Sequence, residues 1–321
     1  MKKILATALA GLAIALAQPA YAEAIKIGFG LPQNSHLGDG AKAFGEELAR
    51  LSNGTMTVEL MPSFQGGNER AALESAQIGL IDMAIAAAAP LSNFVKAVEV
   101  LDLPYVFRDT EHARKVQDGP IGQELLELIT KSGMVGLGWG EAGFRHMTNN
   151  KKVIDTPADA KGMKIRTMQS DTHIEAFQAM GALPTPMSWS EVIPALQTGT
   201  LDGQENALAI ITSTRVYEAQ KHISLTGHAF TNIAWVFSPA RWESLSDEQK
   251  GWVRQAVAKG IEVERARVDS DDEKGLQILK DAGVTVTEVD RKAFAEAVES
   301  AYAGYEQRFG KELIDRIRNT N

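Results

Sequence analysis

The sequence predicts an α/β protein with two lobes, a ligand cleft between them, and a long helix that spans both. Three observations support this fold class. Short apolar strands alternate with amphipathic helices near the N-terminus, the same pattern restarts after Gly133, and residues 247–282 contain no proline. A chain of 321 residues also exceeds the size at which one hydrophobic core usually keeps growing. Open sheets of this class bind ligands at the carboxyl ends of their strands, so a cleft between the lobes is the expected site.

The first elements alternate between strand and helix. Each predicted strand is short and apolar or alternating, and each predicted helix carries apolar residues at helical spacing. The predicted strands are 25–30, 56–61 and 81–86, and the predicted helices are 38–51 and 69–78. Repeated βαβ units favour a mostly parallel sheet with helices on both faces.

The second series of elements begins after Gly133. Residues 134–140, 144–150 and 163–168 are predicted to form three separate extended segments. Helices are expected over 171–180 and 191–197, with Ser190 as the N-cap of the second and Gly199 just past its end. This restart is the basis for a second α/β lobe.

The C-terminal third predicts one very long helix. Residues 246–249 (SDEQ) form a capping box, and the following segment is rich in Ala, Glu, Lys, Arg and Val. At 1.5 Å per residue the helix would be about 54 Å long. Because this exceeds the width of one lobe, we expect the helix to cross both.

The N-terminus has the pattern of a secretory signal peptide. Lys2 and Lys3 precede an apolar run over residues 4–17, and A-Y-A at 20–22 is a cleavage motif. The alternative, an uncleaved anchor, is disfavoured because the apolar run is shorter than the roughly 20 residues that span a bilayer. We therefore expect a signal peptide over 1–22, cleaved after Ala22, and a freely diffusing product in the bacterial periplasm.

Composition excludes several classes of function. There is no cysteine, which rules out disulfides, thiolate metal sites and a lipidated N-terminal cysteine. The formal net charge of -8 argues against binding to nucleic acid or anionic membranes. The six histidines show no metal-binding spacing, and no nucleophile elbow or phosphate loop is present. We expect that the protein binds no metal and no cofactor and that it is not an enzyme. The alternative from another functional class is an exported hydrolase.

Three residues between 161 and 206 suit the binding of a small carboxylate. Arg166 ends a predicted strand and offers paired donors that match a carboxylate. Trp189 supplies a flat apolar surface, and Asn206 closes a polar turn. Each residue also has an explanation that involves no ligand. Arg166 could form a surface ion pair, Trp189 could pack in a core, and Asn206 could belong to an ordinary loop.

Three motifs carry a family resemblance that covers nearly the whole mature chain. KGMKIR at 161–166, PTPMSWSEV at 184–192 and ALQTGTLDGQEN at 195–206 resemble the solute-binding proteins of TRAP (tripartite ATP-independent periplasmic) transporters, the DctP-like family. The resemblance implies a two-lobed periplasmic-binding-protein fold that closes around a small organic carboxylate. It also implies delivery to the small and large integral-membrane subunits of the transporter. A binding protein of an ABC importer is the closer alternative.

The resemblance also implies the ligand contacts. Arg166 would clamp the carboxylate, Arg145 would assist, and the first lobe would select the rest of the ligand. Without the resemblance, Arg145 reads as an ordinary strand arginine, and Glu69 is explained by the helix dipole. The implied ligand-binding residues are Arg166, Arg145, Asn206, Trp189, Glu69, Asn34 and His36.

The sequence also supports more specific expectations about the identity of the ligand and the boundaries of the two lobes. A sugar or hydroxy acid ranks first as ligand, ahead of a C4-dicarboxylate, because the alanines at 86–89 disfavour a heavily charged ligand tail. We expect a monomer. The first lobe is predicted to comprise residues 23–142 plus 232–271, and the second lobe residues 143–231 plus 272–321.

Overall fold

The computed structural model describes residues 23–321, so the expected signal peptide and its cleavage site lie outside the described residues. Strands and helices are distributed over the whole described chain. The strands are β1 Glu23–Phe29, β2 Met56–Met61, β3 Met83–Ala87, β4 Val135–Asn149, β5 Lys164–Thr167, β6 Leu183–Pro186, β7 Gly203–Ala207, β8 His222–Ser224, β9 Phe230–Phe237 and β10 Thr285–Thr287. The helices are α1 His36–Leu51, α2 Glu69–Gln77, α3 Ala88–Leu91, α4 Thr110–Asp118, α5 Pro120–Lys131, α6 Asp171–Ala179, α7 Trp189–Gln197, α8 Leu208–Ser213, α9 Pro239–Ser244, α10 Asp247–Asp281, α11 Arg291–Phe309 and α12 Lys311–Arg318.

The strands form a continuous mixed sheet in the order β2-β1-β3-β9-β4-β7-β5-β6. Within each lobe the pairs β1/β2, β1/β3, β5/β6 and β5/β7 are parallel, as the βα rhythm predicts. In the middle, β9 runs antiparallel to β3 and β4, and β4 runs antiparallel to β7. Parallel pairing therefore holds within the lobes, as expected, and the antiparallel pairs involve β9 and β4, the strands that join the lobes.

Strand β4 is one 15-residue strand, not the two extended segments predicted from the sequence. It pairs with β9 through Phe144 and with β7 from Arg145 onward, with an irregularity between Glu141 and Gly143. Gly143, with a φ of 94° that favours glycine, lies at this irregularity. Strand β4 thus carries the chain from one lobe to the other and places Arg145 at the crossing.

Helix α7 starts two residues earlier than predicted. Ser188 is its N-cap, in a capping box with Glu191, so Ser190 lies inside the helix. Ser188 donates to Glu191 Oε2 through both its backbone N–H and its hydroxyl. As a result Trp189 is the first residue of the helix, at the end that faces the cleft.

The long helix predicted near the C-terminus is confirmed as α10, which has 35 residues and the expected capping box at Ser246. Its first half buries Val253 and Val257 against the core around β1 and α1. Leu279, near its other end, packs with residues of α7 and α8. The helix therefore contacts both lobes. No described helix has the length and apolarity needed to cross a membrane.

The last two helices, α11 and α12, lead from the second lobe back to the first. Phe294, early in α11, packs with Phe177 of the second lobe. Tyr305, late in α11, and Ile314 of α12 pack with the apolar core of the first lobe. We expected residues 272–321 in the second lobe, but α12 packs on the first. We propose that the boundary falls within α11.

Candidate functional site

A cavity lies where the two lobes meet. The empty space among its lining residues is about 420 Å³, a figure that includes the opening to solvent. Both lobes and the crossing strands line it: Gly30, Leu31, His36, Leu37, Glu69, Ala87, Arg145, Arg166, Met168, Trp189, Asn206, Ile210, Thr231 and Ile233. Six of the seven predicted ligand-binding residues are among them. Asn34 is not.

Arg166 is the buried cation of the cavity. It lies in β5, beside Gln204 of β7, and its side chain is almost fully buried. Its Nε and Nη2 donate to the carbonyl oxygen of Met187 at 3.1 and 2.8 Å. Within residues 23–321 it forms no ion pair. Burial lowers the pKa of Arg166 to about 10, so the guanidinium remains charged at neutral pH.

Arg145 also reaches the cavity, but a carboxylate already compensates its charge. Its Nε and Nη2 donate to the two carboxylate oxygens of Glu205, and Nη1 donates to Thr231 Oγ1 at 2.8 Å. Burial alone would raise the pKa of Glu205, but the charge of Arg145 together with the hydrogen bonds from His228 and Arg145 outweighs burial and holds that pKa well below its usual range. The side chains of Arg145 and Glu205 form a neutral buried pair. Arg145 therefore does not offer the cavity a second uncompensated positive charge.

Glu205 is the residue that sequence reasoning left outside the site. In the antiparallel register Arg145 is opposite Ala207 and Met147 is opposite Glu205, which makes Arg145 and Glu205 diagonal neighbours. His228 Nε2 lies 3.0 Å from Glu205 Oε2 and extends the buried network. The alternation of side chains in DGQEN could have indicated the face of the strand on which Glu205 lies. The sequence does not show, however, that β4 is the neighbouring strand.

Trp189 and Asn206 flank the buried cation. The guanidinium carbon of Arg166 is 5.6 Å from the centroid of the Trp189 ring, within the range of a cation–π contact. Asn206 is buried, and its Oδ1 accepts from the N–H of Ala207 at 3.2 Å. Its Nδ2 makes no hydrogen bond to any residue that the structure describes. This amide can therefore donate to an oxygen placed in the cavity.

The first lobe contributes Glu69 and His36. Glu69 is the first residue of α2, and its Oε1 accepts from the N–H of Ala87 at 2.8 Å. Burial raises the pKa of Glu69. His36 is fully buried, and neither of its ring nitrogens has a hydrogen-bond partner among the described side chains and backbone.

Asn34 lies away from the cavity. Its side chain is exposed, and its carbonyl oxygen accepts from Arg267 Nη2 at 3.4 Å. Among residues 23–321 there is also no cluster of three His, Cys, Asp or Glu side chains suited to a metal ion.

Residues 27–308 match the family model described as bacterial extracellular solute-binding protein, family 7. The chain belongs to this family. The resemblance to TRAP solute-binding proteins drawn from the three sequence motifs is thereby confirmed, as is the two-lobed fold. Proteins of family 7 are periplasmic solute-binding components of transporters.

Several proteins similar to this family 7 protein are named for a ligand or have been solved with one. A TRAP periplasmic solute-binding protein from Bordetella bronchispeptica, with density fitted as pantoate, is 44% identical with a TM-score of 0.91 over 93% of this chain and 99% of its own. One from Polaromonas sp. JS666, bound to D-erythronate, is 41% identical with the same TM-score and coverage. The 2,3-diketo-L-gulonate-binding periplasmic protein of Escherichia coli strain K12 is 35% identical over 90% of this chain and 89% of its own.

Proposed function

We propose that this family 7 protein captures a small organic carboxylate in the periplasm, with a sugar or hydroxy acid ranked ahead of a C4-dicarboxylate. It would then deliver the ligand to the small and large integral-membrane subunits of a TRAP transporter. The observation that carries this proposal is Arg166, a buried guanidinium at the cavity with no ion pair in the described chain.

A buried charge without a partner costs several kcal/mol, so such a group is a site for an anion. Arg166 already uses Nε and Nη2 on the carbonyl of Met187, and Nη1 carries two further N–H donors. A ligand carboxylate would accept from these donors and from Asn206 Nδ2, with the ring of Trp189 fixing its orientation. The match of charge and geometry supports a carboxylate rather than a neutral solute.

The relatives support the same class of ligand. D-erythronate and pantoate, seen with the Polaromonas and Bordetella proteins, are hydroxylated monocarboxylates. The Escherichia coli relative is named for a keto sugar acid. Because this family is a solute-binding transport component, we propose binding without catalysis and without a cofactor. We also propose that the protein is a monomer, exported after cleavage behind Ala22.

Capture would proceed by closure of the lobes. Contacts across the cleft support this: Asn93 Nδ2 of the first lobe donates to the carbonyl of Gln169 in the second at 3.1 Å. Trp189 packs against apolar residues of both lobes. A ligand that touches both lobes shifts the population toward the closed form. The closed, loaded form would then dock on the membrane subunits.

A thermal-shift screen tests the ligand class. Protein that has been unfolded, stripped of ligand and refolded is heated with hydroxy acids, sugar acids and dicarboxylates, with neutral sugars and amino acids as controls. A ligand at about 1,000 times its Kd adds about 4 kcal/mol of stability, which raises the Tm by several degrees. Responses confined to carboxylates support the proposal. A response only to neutral or cationic solutes would show that Arg166 is structural.

A further inference from the structure

Helix α6 of the second lobe is capped by a carboxylate of the first lobe. Within residues 23–321, the side chain of its N-cap Ser170 makes no capping hydrogen bond to the helix. Glu99 takes that role, since its Oε1 accepts from the Ser170 hydroxyl at 2.8 Å and from the N–H of Thr172 at 3.0 Å. A carboxylate in this position also meets the positive end of the helix dipole. The first turn of α6 therefore depends on a residue of the other lobe.

Glu99 is a buried ion. It is fully buried, in a short 3₁₀ helix over Lys96–Asp102, and its Oε2 lies 2.7 Å from Lys96 Nζ. Burial alone would raise the pKa of Glu99, but the ion pair with Lys96 and the hydrogen bonds from Thr172 and Ser170 outweigh burial and lower that pKa. The carboxylate is therefore charged at neutral pH. A buried charge is stable only while its hydrogen-bond donors stay in place.

Two further contacts join the same two segments of the chain. Lys96 Nζ lies 2.7 Å from Asp171 Oδ2, and Asn93 Nδ2 donates to the carbonyl of Gln169. Gln169 in turn lines the space that Arg166 also lines. A row of bonds between the lobes thus runs from the buried Glu99 to the neighbourhood of the ligand-binding arginine. Because each bond has one partner in each lobe, separation of the lobes at this place would break the row.

We propose that Glu99 is a latch: its carboxylate takes up the donors of Ser170 and Thr172 when the lobes close on a ligand, and releases them when the lobes separate. In the open form water would replace these donors, and Lys96, which belongs to the same lobe, would stay beside the carboxylate. The closed form gains two charge-assisted hydrogen bonds.

The inference rests on the closure in the proposed function and goes beyond it. Glu99 is not among the residues that line the cavity, so it would act on binding as a positioning residue, without touching the ligand. Part of the ligand affinity would then come from a contact outside the cavity. A contact that forms only after closure should act on the rate of ligand release more than on the rate of capture.

Stability with and without ligand separates a latch from an ordinary structural contact. The probe is D-erythronate or, if another carboxylate gives the largest response in the thermal-shift screen, that acid. Glu99→Ala should weaken binding at least about tenfold, or about 1.4 kcal/mol, through a faster dissociation measured by stopped-flow displacement. It should lower the Tm of loaded protein and leave the Tm of stripped protein nearly unchanged, because the latch is absent from the open form.

A second variant tests the latch from the other lobe. Ser170→Ala removes one donor and leaves the first lobe intact, so its result stands even if Glu99→Ala does not fold. It should weaken binding about fivefold, as expected for one hydrogen bond, again with a lower Tm only for loaded protein. Ser224→Ala is the matched control, because Ser224 is buried and donates to the carbonyl of Ile154 within the second lobe at 2.6 Å. The control should lower both Tm values equally and leave the affinity unchanged.

The outcomes distinguish this inference from the proposed function. If no carboxylate binds wild-type protein, the proposed function fails and the latch falls with it. If a carboxylate binds but Ser170→Ala behaves like Ser224→Ala, then Glu99 caps α6 in the open and closed forms alike. The latch inference then fails while carboxylate binding stands.

Discussion

At the scale of single residues, Arg166 and Arg145 show that two arginines at one cavity can have different tasks. Both are buried, and both line the space between the lobes. Arg145 is held in place by Glu205 and Thr231, whereas Arg166 is held by one backbone carbonyl. Arg145 has a carboxylate partner, whereas Arg166 has none among the described residues. Arg166 is therefore the first arginine to substitute in a test of ligand binding.

Arg166→Lys should lower carboxylate affinity at least about tenfold, or about 1.4 kcal/mol, without unfolding the protein. A lysine keeps the charge but cannot bond the Met187 carbonyl and hold a fork toward the ligand at the same time. Calorimetry with the best acid from the thermal screen measures the effect. Arg50→Lys is the matched control, because Arg50 is exposed on α1 and, among residues 23–321, forms an ion pair only with Glu47. Equal affinities for the two variants would remove Arg166 from the site.

The pairing of Arg145 with Glu205 could not be predicted from the sequence. The resemblance drew attention to Arg145 but not to Glu205, and the two residues are 60 positions apart. Their contact depends on the register between β4 and β7, which in turn depends on β4 continuing as one strand across the lobes. Sequence patterns locate strands but do not give the register of strands that are distant in the chain.

At the scale of elements, α10 depends on a close approach to α1 that only small residues permit. A Cβ at Gly260 would lie 2.9 Å from the carbonyl oxygen of Gly40 and 2.7 Å from the Trp235 ring. Trp235 cannot yield easily, because it is fully buried and its Nε1 donates to Glu264 at 2.9 Å. By contrast, a Cβ at Gly251 of the same helix would meet no atom within 4 Å.

The two glycines of α10 should therefore respond to alanine with opposite signs. Gly260→Ala should destabilise the protein by about 1–3 kcal/mol through overpacking. Gly251→Ala should stabilise it by about 0.5–1 kcal/mol, because alanine is the better helix former. Urea unfolding followed by circular dichroism measures both. Stabilisation by Gly260→Ala would contradict the close contact between the helices.

The elements that the sequence predicted well are those defined by local signals. The capping box at Ser246 and the absence of proline gave α10 almost to the residue, and the alternation in 56–61 gave β2. The features that local signals did not predict involve partners that are distant in sequence. The mixed sheet comes from β9 returning between β3 and β4, and the position of α12 comes from packing on the first lobe.

At the scale of the whole molecule, contacts join the two lobes across the cleft. Arg70 of the first lobe and Gln169 of the second line a smaller space of about 250 Å³, open solvent included, which Arg166 and Trp189 also line. Trp189 lies close to Gly67 of the first lobe, where a Cβ would be 3.1 Å from the indole. These contacts break when the lobes separate, so removal of ligand should widen this region.

A distance measurement between labels at positions 70 and 169 tests this closure. The chain has no cysteine, so the double variant Arg70→Cys with Gln169→Cys can be spin-labelled without background. We expect the distance distribution of stripped protein to be long and to shorten when a bound carboxylate is added, because a ligand that contacts both lobes favours the closed state. Arg70→Cys with Glu46→Cys is the control, since both positions lie on exposed helical surfaces of the first lobe. Its distance should stay constant. A single short distance with and without ligand would show that the lobes are closed before binding, and capture would then require another route into the cavity.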